Sequence, residues 1–235
     1  MPFRLVSSEK KFKKWQWISA RIEKSRKDHR AESHKLYVDT ISCDEIQLST
    51  KNGWFARREH IQKIFKHSDF GSLEKARAAG GPTLGIVRPA KIIGLDITPA
   101  SSPQWTSAEI SKLLSAQQQA DLFDATDARS ITTLKKLPYD FHYRYVCSAD
   151  GNDKEYKHKI VDWEIGALYW NVRRSHGEKW EKPFREKLEI RLPKADLMFL
   201  MGTIHRFPDQ WLIVSLIYPP KQQLELLSPQ SSFDL

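Results

Sequence analysis

Hydrophobic and polar residues alternate along several stretches of this chain, and each alternation predicts a strand. In residues 15–24, Gln16, Ile18, Ala20 and Ile22 take one face, and Trp15, Trp17, Ser19 and Arg21 take the other. Residues 139–147 alternate more cleanly, with Phe141, Tyr143 and Tyr145 opposed to His142 and Arg144. The turn residues Asp150, Gly151, Asn152 and Asp153, followed by a return at 156–161, make this a hairpin. Residues 45–48 read as a short strand, and residues 83–98 as two strands broken at Pro89. Residues 196–205 and 211–218 read as a closing pair joined by a turn at Pro208, Asp209 and Gln210.

Other segments carry the helical period. Asn52 and Gly53 form a turn signal, and Trp54, Ile61, Ile64 and Phe65 then share one face of a predicted helix over 54–66. Thr106 and Glu109 have capping-box spacing ahead of Ile110, Leu113 and Leu114. Asp162 is placed to cap a helix over 163–175 in which Ile165, Leu168, Tyr169 and Val172 face inward, and Gly177 suits its stop. Pro183 suits the start of a further helix with Phe184 and Leu188 inside.

These elements predict an α+β fold in two regions. Residues 1–125 form a mixed, strand-rich region. Residues 126–220 form a hairpin–helix–helix–hairpin (ββααββ) unit with an antiparallel sheet. Residues 221–235 are expected to be a flexible tail.

Composition narrows the class. Of 235 residues, 40% are hydrophobic and eight are Trp, enough for a core. No apolar run approaches the roughly 20 residues of a membrane span, and the first residues lack an apolar signal core. A cytoplasmic protein with no membrane partner is therefore expected. The two cysteines, Cys43 and Cys147, make no disulfide framework. Cys147 and His158 supply only two of the four ligands a structural zinc takes, so no metal is expected.

Charge carries the functional expectation. The net charge is +9, and residues 1–35 hold eleven Lys and Arg against four acids, a surplus of +7. A basic end of this kind is a footprint for phosphate, and its plain alternative is a solvated face. Two groups of residues refine it. Lys10, Lys11, Lys13 and Lys14 lie beside Trp15 and Trp17, so cations and stacking platforms interleave. In the second region, Arg144, Lys157 and Lys159 share hairpin positions with Trp170, Arg173 and Arg174 on the following helix.

Signals for chemistry are weaker. There is no phosphate-cradling Gly-rich loop and no nucleophile elbow. Asp162 and Glu164 follow a strand bearing Lys159, which would suit a Mg²⁺-dependent nuclease, although Asp162 is equally explained as a cap. His205 is a candidate base, against the plainer reading of a strand-end histidine with a satisfied hydrogen bond. Gln119, Leu122 and Phe123 stand as in the short peptide by which bacterial DNA-handling proteins dock on the replication sliding clamp, or else belong to a core.

The stretches KLPYDFHYRYVC, VDWEIGALYWN and FLMGTIHRFPDQWLIVSLIYPP resemble an uncharacterised family of bacterial and phage proteins. FKKWQWISARIEK and STKNGWFARRE extend the resemblance over most of the chain. It implies no particular reaction. Because relatives occur near mobile or defence genes, it implies a nucleic-acid setting. Relatives carry further cysteines after the first hairpin strand, where this chain has only Cys147. The expectation is a nucleic-acid-binding protein without a cofactor. Its alternatives are a Mg²⁺-dependent nuclease and a docking adaptor.

Overall fold

The computed structural model describes residues 12–64, 66, 67, 69–111, 136–149 and 151–221. In chain order come β1 (Gln16–Ser19), β2 (Ile22–Lys24), β3 (His34–Leu36), β4 (Ser42–Gln47), helix α1 (Lys51–Lys63) and β5 (Lys66–His67). Helix α2 (Phe70–Ala78), β6 (Leu84–Val87) and β7 (Lys91–Pro99) follow. Then come β8 (Tyr139–Ala149), β9 (Asn152–Ile160), α3 (Trp163–His176), α4 (Glu181–Arg185), β10 (Met198–Ile204) and β11 (Phe207–Ile217). The α+β class is as expected.

The long strands join in one sheet of order β5-β6-β10-β11-β9-β8-β7. It is mixed rather than antiparallel as expected, because β11 runs parallel to β9 and β5 parallel to β6. The helices α3 and α4 lead from β9 to β10, and β10, antiparallel to β11, carries the chain back so that β11 runs beside β9 in the same direction. The sheet also crosses the expected boundary near residue 125: β7 pairs with β8 and β6 with β10. Residues 84–99 thus share a sheet with the second region.

One face of the sheet carries the main core. Phe141, Tyr143, Tyr145 and Cys147 of β8 pack with Ile165 and Tyr169 of α3 and with Phe184 of α4 and Leu188 just beyond it. The Tyr143 ring stacks on Phe199 at 5.5 Å, and its hydroxyl donates to the Leu188 carbonyl at 2.7 Å. Burial raises both the Tyr143 and the Tyr145 phenol well above their ordinary pKa. A smaller cluster of Ile61, Ile86, Met198 and Ile217, with Trp15 and Trp54 against it, seats α1 on the chain's second apolar centre.

Local chemistry sets the element ends. Asp162 caps α3 through Glu164 N–H, and Gly177 ends it at φ 56°. Thr106 and Glu109 make the expected reciprocal box. Asn52, Gly53 and Trp54 all have positive φ, so the first turn of α1 is left-handed. The predicted strand over 15–24 breaks in two, because β1 pairs with β4 whereas β2 pairs with β3. The final turn falls at residues 205 and 206, not at 208–210, since Ile204 already pairs with Phe207. Helix α2, with its Asp69–Ser72 capping box, had no counterpart among the predicted elements.

Candidate nucleic-acid interface

The hairpin face expected to bind phosphate carries its own counter-charges. Register sets Asp96 beside His142 and Lys159 beside His142, with Arg144 opposite Lys157. Lys157 Nζ lies 2.8 Å and Arg144 Nε 3.0 Å from the two Asp96 oxygens, and Lys159 lies 2.7 Å from Asp140. Lys157, then Arg144, hold the Asp96 carboxyl below its usual range. Arg173 pairs with Glu178 and donates to the Gly177 carbonyl at 2.8 Å. Trp170 is no open platform: it packs edge-on against Tyr169 at 4.9 Å, beside the main core. Arg174 is exposed.

The second expected group divides. Lys14 is a latch: its ammonium donates to Glu164 and to the Leu216 carbonyl, each at 3.0 Å, and lies 3.7 Å from Asp162. Trp15 is half-buried, edge-on to Trp54 at 5.8 Å and under the Arg57 guanidinium. Lys13 is exposed, and Trp17 keeps 53% of its surface, touching the His60 ring at 5.0 Å. Lys10, Lys11, Gln119, Leu122 and Phe123 lie outside the described residues.

The carboxylate pair does not form an open site. Asp162 is buried, and its Oδ1 accepts Glu164 N–H at 2.9 Å. Its Oδ2 accepts Leu216 N–H at 2.8 Å and the Ser215 hydroxyl at 3.3 Å. This is the cap reading, extended by a second strand. Lys159, expected nearby, points its charge to Asp140 instead.

The unexpected feature is an arm formed by β2, β3 and the loop between them. Lys24 Nζ donates to the carbonyls of Asp28 and Ser33, both at 3.2 Å, and so shapes the loop from inside. Arg26 and Lys27 sit exposed on its turn. Arg21 lies over the Tyr37 ring at 3.9 Å and Lys35 at 4.8 Å. Among the described residues none of Lys13, Arg21, Lys24, Arg26, Lys27 and Lys35 makes an ion pair with an acid. In the sequence these cations form part of the +7 surplus, but no Trp lies among residues 21–35 to mark them.

His158 faces the core, where the Tyr145 hydroxyl lies 3.0 Å from its Nδ1. Burial drops its pKa from 6.5 to about 4, so the ring that shares this bond is neutral at neutral pH. Below pH ~6.5 the unfolded ring takes a proton that the folded ring refuses until about pH 4. Stability should therefore be complete above pH ~6.5 and fall by about 3 kcal/mol on acidification to about 4, then level off. Urea titrations at pH 7 and pH 4.5 should show this loss in the wild type and a smaller one in His158→Gln.

A family model described as Domain of unknown function (DUF8757) matches residues 66–234, and one described as Domain of unknown function (DUF8758) matches residues 1–63. The two meet just after α1. No curated protein and no solved structure matches the chain.

Proposed function

The chain belongs to the DUF8757 family, and we propose that it binds nucleic acid through the basic arm of the unit that precedes this domain. The observation that carries the reading is an asymmetry of charge. Residues 1–63 hold fifteen Lys and Arg against eight acids, leaving +7 of the chain's +9. Residues 64–235 hold 23 Lys and Arg against 21 acids, so their charge nearly balances, and among these cations Arg77, Arg88, Lys136, Arg144, Lys157, Lys159, Arg173, Arg185 and Arg191 face acids directly. Cations without acidic partners are the ones a phosphate chain can neutralise with release of its counterions. Trp17, exposed on the same unit, offers a face for an unpaired base.

A setting in defence or mobile elements rests on the sequence resemblance alone. The test is fluorescence anisotropy with labelled single- and double-stranded 20-mers at low salt. Binding of both is expected. Trp17→Ala should weaken single-strand binding by roughly 1–3 kcal/mol and leave duplex binding unchanged. Absence of binding to either at low salt would contradict the reading.

A further inference from the structure

Where the arm meets the main sheet, three ligand-type side chains converge from distant parts of the chain. Asp28 and His29 come from the β2–β3 loop, and His205 comes from the β10–β11 turn. One donor atom from each lies within 4.8 Å of the others. The His29 and His205 rings stand 5.6 Å apart, inclined by 31°.

The Asp28–His205 pair has an unusual relation. His205 Nδ1 lies 3.2 Å from Asp28 Oδ1. Yet this Nδ1 is buried and has no hydrogen-bond partner, so the two atoms are near each other without the alignment of a hydrogen bond. Two donors bound to one tetrahedral zinc at ~2.0–2.1 Å stand about 3.4 Å apart. The observed spacing suits two ligands facing a common point better than it suits a donor facing an acceptor.

The surroundings fit as well. The Arg30 guanidinium grips Asp28 with Nε at 3.0 Å and Nη2 at 2.6 Å. Arg30 Nη1 also donates to the Thr203 carbonyl at 2.6 Å, which fixes the loop against β10. Orientation of a ligating carboxylate by an outer hydrogen bond is the usual support of a metal site. His29 is exposed and lines a pocket of about 470 Å³ together with Arg77, Gly81 and Pro208, so the third ligand is reachable from solvent.

We propose that Asp28, His29 and His205 bind a zinc-class divalent cation that clamps the arm onto the β10–β11 turn. Two imidazoles and one carboxylate match the borderline-soft ions of this class. Water completes the coordination on the open side. The Arg30 charge opposes the incoming cation, so binding should be weaker than at four-ligand sites. Sequence spacing could not show this, because the ligands come from residues 28–29 and 205.

The test is calorimetric titration of the EDTA-stripped full chain with ZnCl₂, paired with thermal melts. One equivalent should bind and raise the melting temperature. His205→Ala and His29→Ala should each weaken binding at least tenfold and abolish the shift, while His60→Ala, away from the cluster, should bind as the wild type does. His29 is exposed, so the metal-free melt of His29→Ala should match the wild type and keep the test valid even where His205→Ala disturbs the turn. No binding by the wild type, or undiminished binding by His29→Ala, would overturn the proposal.

Discussion

Asp162→Ala is expected to destabilise the protein by about 3–5 kcal/mol, the range for breaking a buried charged network. The residue is 4% exposed, and its side chain serves three elements at once. It caps α3 through Glu164 N–H, and it binds Leu216 N–H and the Ser215 hydroxyl of β11. It also lies 3.7 Å from the Lys14 ammonium, which ties in the N-terminal unit. Alanine would leave these donors without an acceptor in a place water does not reach. Asp162→Asn retains one acceptor oxygen and should lose less. Denaturant unfolding of the three proteins measures the series. A loss below ~1 kcal/mol for Asp162→Ala, with the fold intact, would contradict the structural role and return this carboxylate to the list of catalytic candidates.

The second large effect is on binding. Replacing Arg26, Lys27 and Lys35 together by Glu should weaken nucleic-acid affinity on the order of 100-fold at low salt, because each change removes one phosphate contact and adds one repulsion. These residues are exposed and make no ion pair with an acid among the described residues, so the fold should tolerate the change. The matched control is Arg144→Gln with Lys157→Gln. Those two cations spend their charge on Asp96, and their loss should change affinity less than about threefold.

Much of the fold was legible where side-chain period and turn chemistry agree. The β8–β9 hairpin, the Asp162 cap, the Gly177 stop and the break at Pro89 all follow from local sequence. What local pattern does not hold is pairing between distant strands. The parallel β9–β11 contact and the β6–β10 contact span long sequence separations and settle the sheet order. Helix α2 escaped because its sequence, FGSLEKARA, buries only Phe70 and Leu73 and shows little periodicity. The site was less legible for a related reason. A lysine in the sequence reads as a free charge, and only the fold shows that Lys14 and Lys157 are bound to acids while Arg26 and Lys27 are not. Trp15 and Trp17 looked equivalent by alternation, but a left-handed backbone at Trp15, φ 68°, turns the two rings to different surroundings.

The most direct test of the account is the salt slope of binding, measured by anisotropy for the wild type, the arm variant and the hairpin variant. Each phosphate contact contributes roughly 0.7–0.9 to the slope of log Kobs against log salt concentration. The arm variant should lose about 2–3 units of slope, and the hairpin variant should keep the wild-type value. An unchanged slope in the arm variant together with a flattened one in the hairpin variant would contradict the account and move the interface to the face of β8 and β9.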